Sequence, residues 1–320
     1  MGRADDTERG WAIMRSHHLV QFMHPGSEHR PDRRTGAISE WKDWNRGDHK
    51  RKFLIANGAS TSDPKNPPRE GKIAFWGEWE PQSKWTVLPE SGVPDGPRWL
   101  HDPRLDLKAI ESQPCAGWQN TDPLVFGDMF RYAICRQFRA NGQRTKLSYL
   151  SEGDIVLFGS HVGGQFVLDT LLVVNIQADV LPGGELPNWE SGLHRAITMK
   201  LVKLPPAGVR LYGGQRWMPG APFSFVPCVT WDDAQVPFAR PGLQPLGPLK
   251  SRITPAMKMG FKITAIDGAS EAHAVWNAVV DQVLQQGCRL GTDVREPTWA
   301  DISPIASHAE QARSCGVRNC

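Results

Sequence analysis

The residues best suited to chemistry lie between Gly71 and Pro81, in the stretch GKIAFWGEWEP. Its second half contains two tryptophans and two carboxylates, namely Trp76, Glu78, Trp79 and Glu80. Flat apolar walls beside fixed hydrogen-bond acceptors suit a planar polar ligand such as a nucleobase. A glutamate between indole rings is partly desolvated, and desolvation raises its pKa towards the range of a general acid or base. This stretch is therefore either a pocket wall with a functional Glu78 or a core edge that uses tryptophan for bulk.

A second group of polar residues lies in the segment NTDPLVFGDMFRYAICRQF, residues 120–138. Asp122 and Asp128 either build turns, for which Thr-Asp-Pro and Phe-Gly-Asp are typical sequences, or line a cleft together with Cys135. In the cleft interpretation Gln137 would read a base edge. Cys135 as a nucleophile requires a nearby base, and no signature of a cysteine enzyme surrounds it, so a buried structural thiol is the alternative.

Asp169 interrupts the apolar run FVLDTLLVV. A carboxylate buried in such a strand needs an arginine, a cluster of backbone amides or a ligand as its partner, so Asp169 is either structural or a site residue. If the site is real, five side chains should converge on one cavity: Trp76, Glu78, Asp128, Cys135 and Asp169. We expect residues 71–81 and 120–138 to form opposite walls of this cavity, above a floor formed by residues 153–174.

A basic cluster precedes these segments and consists of Arg46, Lys50, Arg51 and Lys52. Trp41 and Trp44 lie beside it, and this combination is typical of surfaces that hold backbone phosphates and stack bases. A solvated charged face has the same pattern. Five of the ten histidines also fall within the first 52 residues, but their spacing matches no zinc motif. We predict neither a metal nor a cofactor.

Composition narrows the class of protein. A chain of 320 residues that is 40% hydrophobic and 22% charged has ample material for a core. No apolar run is long enough to span a bilayer, and the charged start MGRADDTERGW does not resemble a secretory signal. The six cysteines form no CxxC pair, which argues against a zinc ribbon. We therefore expect a soluble, cytoplasmic protein without a membrane partner.

The 31 glycines and 26 prolines indicate many turns and short strands. The clearest element is a β-hairpin over Gly153–Val174, whose two apolar runs we expect to be covered on both faces. Helical spacing of apolar residues predicts a helix over Ser270–Gln286. We predict further strands at 16–23, 194–203, 208–212 and 223–229, and a loop without core residues at 57–71.

The order of these elements predicts an α+β fold with a mostly antiparallel, partly closed β-sheet or barrel and a C-terminal helix. No alternating βα pattern, dinucleotide fingerprint or phosphate loop is present. We expect a flexible lead-in at residues 1–15, one β-rich domain at 16–290 with proline- and glycine-rich insertions, and a polar tail at 291–320.

Several phrases resemble the signature of a family of uncharacterised prokaryotic proteins: FWGEWEP, NTDPLVFGD, YAICRQ and FSFVPC. The pair GDIVLFGS and FVLDTLLVV is also similar to the strand pair of PUA-like barrels (EVE, ASCH and relatives), and to nucleotide-modification-associated domains of phage and defence islands. The resemblance implies a PUA-like fold that holds nucleic acid, with a modified base in an aromatic cage.

Our leading hypothesis is a protein that binds a nucleobase, modified or unmodified, in DNA, RNA or a nucleotide. Trp76 and Trp79 would form the walls, and Glu78 and Asp128 would contact polar edges, together with Asp122 and Gln137. The basic cluster of Arg46, Lys50, Arg51 and Lys52 would contact phosphate. The first alternative is an enzyme that acts on a nucleotide-like molecule through Glu78, Asp169 or Cys135. The second is a non-catalytic subunit of a larger complex, which would have a protein partner.

Overall fold

The computed structural model describes residues 16–28, 51–81, 83–89, 96–105, 121–199, 204–232 and 238–297. Within these ranges the strands are β1 His17–His24, β2 Arg51–Thr61, β3 Arg69–Glu78, β4 Ser83–Val87, β5 Trp99–Pro103, β6 Arg131–Tyr132, β7 Ile155–Val162, β8 Gln165–Val180, β9 Val209–Gly214, β10 Val226–Thr230, β11 Gly242–Leu243, β12 Gly260–Ile266 and β13 Arg289–Thr292. The helices are α1 Gly192–His194, continued by a π-helical turn Arg195–Met199, and α2 Gly268–Gln285.

These strands form two sheets. The first has the order β12-β1-β7-β8-β9-β6, with β11 paired to β8, and its only parallel pair among the described strands is β1 with β7. The second has the order β13-β10-β3-β2-β5-β4, and β13 also pairs with β2. This additional pairing closes β2, β3, β10 and β13 into a ring. The structure is thus a mixed α/β protein with one partly ring-like sheet, as the composition predicts in outline.

The main core lies between the two sheets. Phe22 and Phe158 of the first sheet belong to the same buried cluster as Leu54, Phe75 and Trp79 from the second. The opposite face of the first sheet packs on α2, whose buried residues recur at helical spacing: Ala272, Val275, Trp276, Val279, Val280 and Val283. Strands β1 and β7 are therefore covered on both faces, which explains why apolar residues are adjacent to each other in both, as at residues 19–20 and 155–158.

The predicted elements match the structure unevenly. The hairpin, the strand at 16–23 and the helix near 270–286 are present within a few residues of their expected limits. The loop expected at 57–71 is instead the tip of the hairpin between β2 and β3, with Ala59, Ser60 and Thr61 buried against β13. The strand expected at 194–203 is helical as far as Met199. Helix α2 is followed by β13, so it is not the last element, and the described structure extends past residue 290 to residue 297.

Among the described residues, no helix combines the length and the apolar character needed to cross a membrane.

A β-bulge in the β7–β8 hairpin determines where Asp169 points. Phe158 pairs with Thr170 and Gly159 pairs with Leu168, so Asp169 is the extra residue of the longer strand. Gly159 has no room for a side chain, because a Cβ there would lie 2.3 Å from the carbonyl oxygen of Val167. Bulges bend a strand and redirect side chains. Here the bulge places a carboxylate inside an otherwise apolar strand.

Replacing Gly159 with alanine should lower the free energy of unfolding by about 1–3 kcal/mol or more, because overpacking forces the backbone to shift. Gly71→Ala is the matched control, since Gly71 also lies in a strand and its added Cβ would meet no atom within 4 Å. The control should change stability by less than about 0.5 kcal/mol. Chemical denaturation measures both variants, and equal stability would contradict the tight packing described for the bulge.

Candidate ligand-binding cleft

A cleft of about 420 Å³ opens where the end of β7 meets the outer face of the second sheet. It is lined by Gly26, Ser27, Glu28, Phe53, Trp76, Gly96, Arg98, Trp99, His161, Val162, Gly163 and Arg240. Its volume falls within the roughly 300–1,000 Å³ of small-molecule sites, and it combines aromatic walls with a few polar groups. The sequence-based hypothesis requires this combination.

Arg240 is the central residue of the cleft. Its guanidinium lies 3.9 Å from the ring centroid of Trp76, which is itself held edge-on to Phe53. A cation over an indole face is attracted by the ring quadrupole, and arginine adds a flat surface of its own. One face of Trp76 is therefore occupied by Arg240 and is not available to stack on a ligand.

The bulged carboxylate of Asp169 holds Arg240 in this position. Arg240 Nη1 lies 3.4 Å from Asp169 Oδ1 and 3.3 Å from Ser160 Oγ, while the Ser160 hydroxyl donates to Asp169 Oδ2 at 2.8 Å. Arg240 Nη2 donates to the carbonyl oxygen of Gly26 at 3.0 Å. Burial raises the pKa of Asp169, although the charges of Arg240 and Arg51 act in the opposite direction. The partner that the sequence required for Asp169 is thus an arginine 71 residues further along the chain.

Glu28 supplies the acidic group of the cleft. Its carboxylate accepts hydrogen bonds from the backbone N–H groups of Arg98, at 3.2 Å, and Trp99, at 3.1 Å. Burial raises the pKa of Glu28 to about 7, and these hydrogen bonds and the Arg98 and Arg240 charges only partly offset this effect. A carboxyl group that is half ionised near neutral pH can either donate or accept a hydrogen bond, and it can transfer a proton.

Two indole N–H groups in the cleft walls have no acceptor among the described residues. Trp76 and Trp99 are 3% and 5% exposed. Leaving a buried donor unsatisfied costs about 1–3 kcal/mol. Both nitrogens have less than 1 Å² of accessible surface, so a ligand in the cleft reaches them only if the walls shift.

The other predicted site residues do not reach the cleft. Trp79 is fully buried in the main core, with its ring centroid 5.0 Å from that of Phe126. Asp128 is largely exposed and pairs with Arg131 at 3.0 Å. The side-chain amide of Gln137 is bound to the backbone of Arg210: its Nε2 donates to the carbonyl oxygen at 2.5 Å, and its Oε1 accepts from the N–H at 3.0 Å. Of the five side chains expected to converge on one cavity, only Trp76 lines the cleft, and Asp169 is connected to it through Arg240. Glu78, Asp128 and Cys135 do not line it, so the five do not converge.

Asp122 and Cys135 form a structural unit. The Asp122 carboxylate accepts from the backbone N–H groups of Ala133, Ile134 and Cys135, at 2.9, 2.7 and 2.7 Å. Burial raises the pKa of the Cys135 thiol well above its usual range, and the charges of Asp122 and Glu78 reinforce this effect. A nucleophilic cysteine needs a lowered pKa, so this geometry does not suit the catalytic role expected for Cys135.

The basic cluster has a different role from the one predicted. Arg51 and Lys52 are 2% and 1% exposed, because both lie in β2 inside the protein. Arg51 forms a buried ion pair with Glu78, its direct neighbour on β3, and Lys52 donates to the carbonyl oxygen of Pro81 at 3.1 Å. Neither residue offers a surface to phosphate, and Glu78 is committed to this pair instead of a ligand. Arg46 and Lys50 lie outside the described residues.

A larger cavity of about 730 Å³ lies at the other end of the first sheet, beside the start of α2. Its lining is mainly glycine, alanine, valine and proline, with His17, Gln215 and His273 among the polar residues. None of the catalytic or binding residues predicted from the sequence lines this cavity, although both ends of the predicted hairpin do. The smaller cleft is therefore the better candidate for a specific site.

The sequence does not identify five of the cleft residues as parts of one site: Glu28, Arg98, Trp99, His161 and Arg240. They come from four separate segments, and local patterns do not show that these segments meet. The one available signal was the charge in FVLDTLLVV, which required a distant basic partner.

No protein-family model, curated protein or solved structure matches the chain. The resemblance to prokaryotic families and to PUA-like barrels therefore stays a prediction.

Replacing Asp169 with asparagine should lower the free energy of unfolding by about 3 kcal/mol, since removing one partner of a buried ion pair typically costs 3–5 kcal/mol. Asp179→Asn is the matched control, because Asp179 pairs with Arg210 at 2.8 Å but its side chain is 51% exposed. Exposed pairs contribute about 1 kcal/mol or less. Urea denaturation of both variants tests the difference, and similar losses would show that Asp169 does not support a buried charge.

Proposed function

We propose that the protein binds a planar heterocycle of the nucleobase type in the cleft at Arg240, as part of a nucleotide or of a nucleic-acid strand. The observation that supports this most directly is the stack of Arg240 on Trp76, which presents a flat, positively charged surface to the cleft. Bases stack on arginine planes as well as on aromatic rings.

The polar edges of the cleft support the same ligand class. Nucleobases have both donors and acceptors on their edges, and Glu28 can contact an amino or imino group. An apolar ligand would cover the carboxyl group of Glu28 and the guanidinium of Arg240 without offering either a polar partner, so a polar ring fits better than a hydrocarbon.

Filling the cleft should abolish binding. Val162 lines the cleft and is partly exposed, so Val162→Trp can occupy the space with little change to the core. Isothermal titration calorimetry should detect binding of nucleosides or of modified and unmodified single-stranded oligonucleotides to the native protein, and none to this variant. Leu181→Trp is the control, because Leu181 is 57% exposed and does not line the cleft.

Arg240→Lys provides a second test, since lysine keeps the charge but loses the flat surface. Thermal unfolding first establishes that the variant is folded. We expect at least a tenfold loss of affinity, comparable to the roughly 1–3 kcal/mol of one stacked base. Unchanged affinity in both Val162→Trp and Arg240→Lys would refute the assignment of the cleft.

A second candidate function is acid–base catalysis on the bound nucleotide-like ligand. The pKa of Glu28, raised to about 7, favours it, because a catalytic acid or base is most effective when its pKa lies near the working pH. Glu28 thus takes the role that the sequence suggested for Glu78.

If Glu28 is catalytic, Glu28→Gln should lose at least 100-fold in turnover, the lower end of the usual contribution of a general acid or base, while affinity changes little. Mass spectrometry of nucleotides incubated with the native protein detects the product. Conversion by Glu28→Gln at the native rate would exclude this role, and binding without conversion by the native protein would leave binding as the function.

A further inference from the structure

We propose that the mouth of the cleft is a phosphate subsite, in which Arg98 and His161 hold the phosphate of a nucleotide whose base lies against Arg240. This inference rests on the proposed function, because it assigns the second half of the same ligand. It replaces the predicted phosphate contacts of Arg51 and Lys52, which are buried.

Arg98 is the cation best placed for this role. Its side chain is exposed at the cleft, and within the described part of the chain its guanidinium lies in no ion pair. Arg240 differs, since its guanidinium is buried and already bound to Asp169, Ser160 and Gly26. Arg240 therefore provides a stacking surface, and Arg98 remains available to an anion. Guanidinium groups match phosphate oxygens in a two-pronged geometry.

The tip of the β7–β8 hairpin completes the mouth of the cleft. His161 lies on the cleft and supplies a second hydrogen-bond donor. Gly163 follows, and an added Cβ there would meet no atom within 4 Å. A tip with free space and no side chain leaves room for a tetrahedral phosphate beside the backbone.

Glu28 makes the subsite sensitive to pH. Within the described part of the chain, the charged or titratable groups that line the cleft with Glu28 are Arg98, Arg240 before β11 and His161 at the end of β7. An anion beside Arg98 repels the ionised Glu28 carboxylate, so it raises the pKa of Glu28 further and favours its protonation. Anion binding should therefore take up protons and strengthen as the pH falls from 8 to about 7, above the second pKa of a phosphate monoester near 6.

Calorimetry with nucleosides, their 5′-monophosphates and a short single-stranded oligonucleotide tests the inference. At low salt we expect monophosphates to bind about tenfold more tightly than nucleosides, which corresponds to one charge-assisted contact, and we expect the difference to shrink at high salt. Arg98→Gln should remove this gain and leave nucleoside affinity unchanged. Arg216→Gln, at an exposed arginine that does not line the cleft, is the matched control and should behave like the native protein.

The outcomes separate the two proposals. Equal affinity for nucleosides, monophosphates and the oligonucleotide, or an equal loss for nucleosides and monophosphates in Arg98→Gln, would overturn the phosphate subsite and leave base binding in place. Absence of binding by every probe would overturn both. A gain seen only with the oligonucleotide would assign the subsite to the phosphodiester of a strand, and a gain with the monophosphates would assign it to a free nucleotide.

The proton linkage gives an independent readout. Titration at pH 7 in two buffers of different ionisation enthalpy measures the protons taken up with the monophosphate. We expect a fraction of about half a proton from a group whose pKa lies near 7, and a smaller uptake in Glu28→Gln. Proton release on binding would contradict the subsite.

Discussion

The buried charge of Arg240 is the constraint on which the rest of the site depends. An arginine side chain that is 5% exposed must have a counter-ion and acceptors, because an unpaired buried charge is far more costly than a paired one. Asp169 of the first sheet provides the counter-ion and Trp76 of the second provides the flat surface. One side chain thus connects both sheets at the cleft. The bulge opposite Gly159 turns the Asp169 carboxylate towards this charge.

Buried charges are paired elsewhere in the interior as well. Arg51 and Glu78 face each other across β2 and β3, and the buried Arg131 lies 3.7 Å from Glu190, which contacts His194 at 2.5 Å. Buried pairs of this kind contribute little to stability compared with apolar residues of equal volume. What they supply is position, because a pair forms only in one register of the strands. We infer that they set the geometry of the sheets, and that the apolar clusters provide most of the stabilisation.

Local patterns in the sequence predicted the elements whose cause is local. The β7–β8 hairpin has two apolar runs around a Gly-Gly turn, and α2 has apolar residues at helical spacing, so both could be predicted from short windows. Residues 57–61 have no such pattern. Ala59, Ser60 and Thr61 are buried where they pair with β13, more than 220 residues away, and a short window of sequence does not contain this partner. The ring of four strands could not be predicted for the same reason.

The candidate site shows the same division. Trp76 and Asp169 stood out because each is unusual in its local sequence, and both belong to the stacked arrangement at the cleft. Trp79 has the same residue type three positions later, yet it points into the core with Phe126. Residue type therefore identified candidates, but the direction of a side chain depends on strand alternation and on distant partners. Glu28 and Arg98 are ordinary in their own segments and become site residues only in the folded chain.

The position of Arg240 also changes the chemistry expected of the ligand. An aromatic cage made of bare indoles attracts cations, which is how such cages hold methylated, positively charged groups. Here the guanidinium already covers the face of Trp76, so a cationic ring in the cleft would meet a like charge. Asp169 partly neutralises the charge of Arg240, so the repulsion is smaller than the roughly 4 kcal/mol of two unpaired unit charges 4 Å apart at an effective dielectric constant of about 20. If the cleft binds a base as proposed, this repulsion favours neutral or electron-rich rings over positively charged modified bases, in contrast to the aromatic cage that the tryptophans alone suggest.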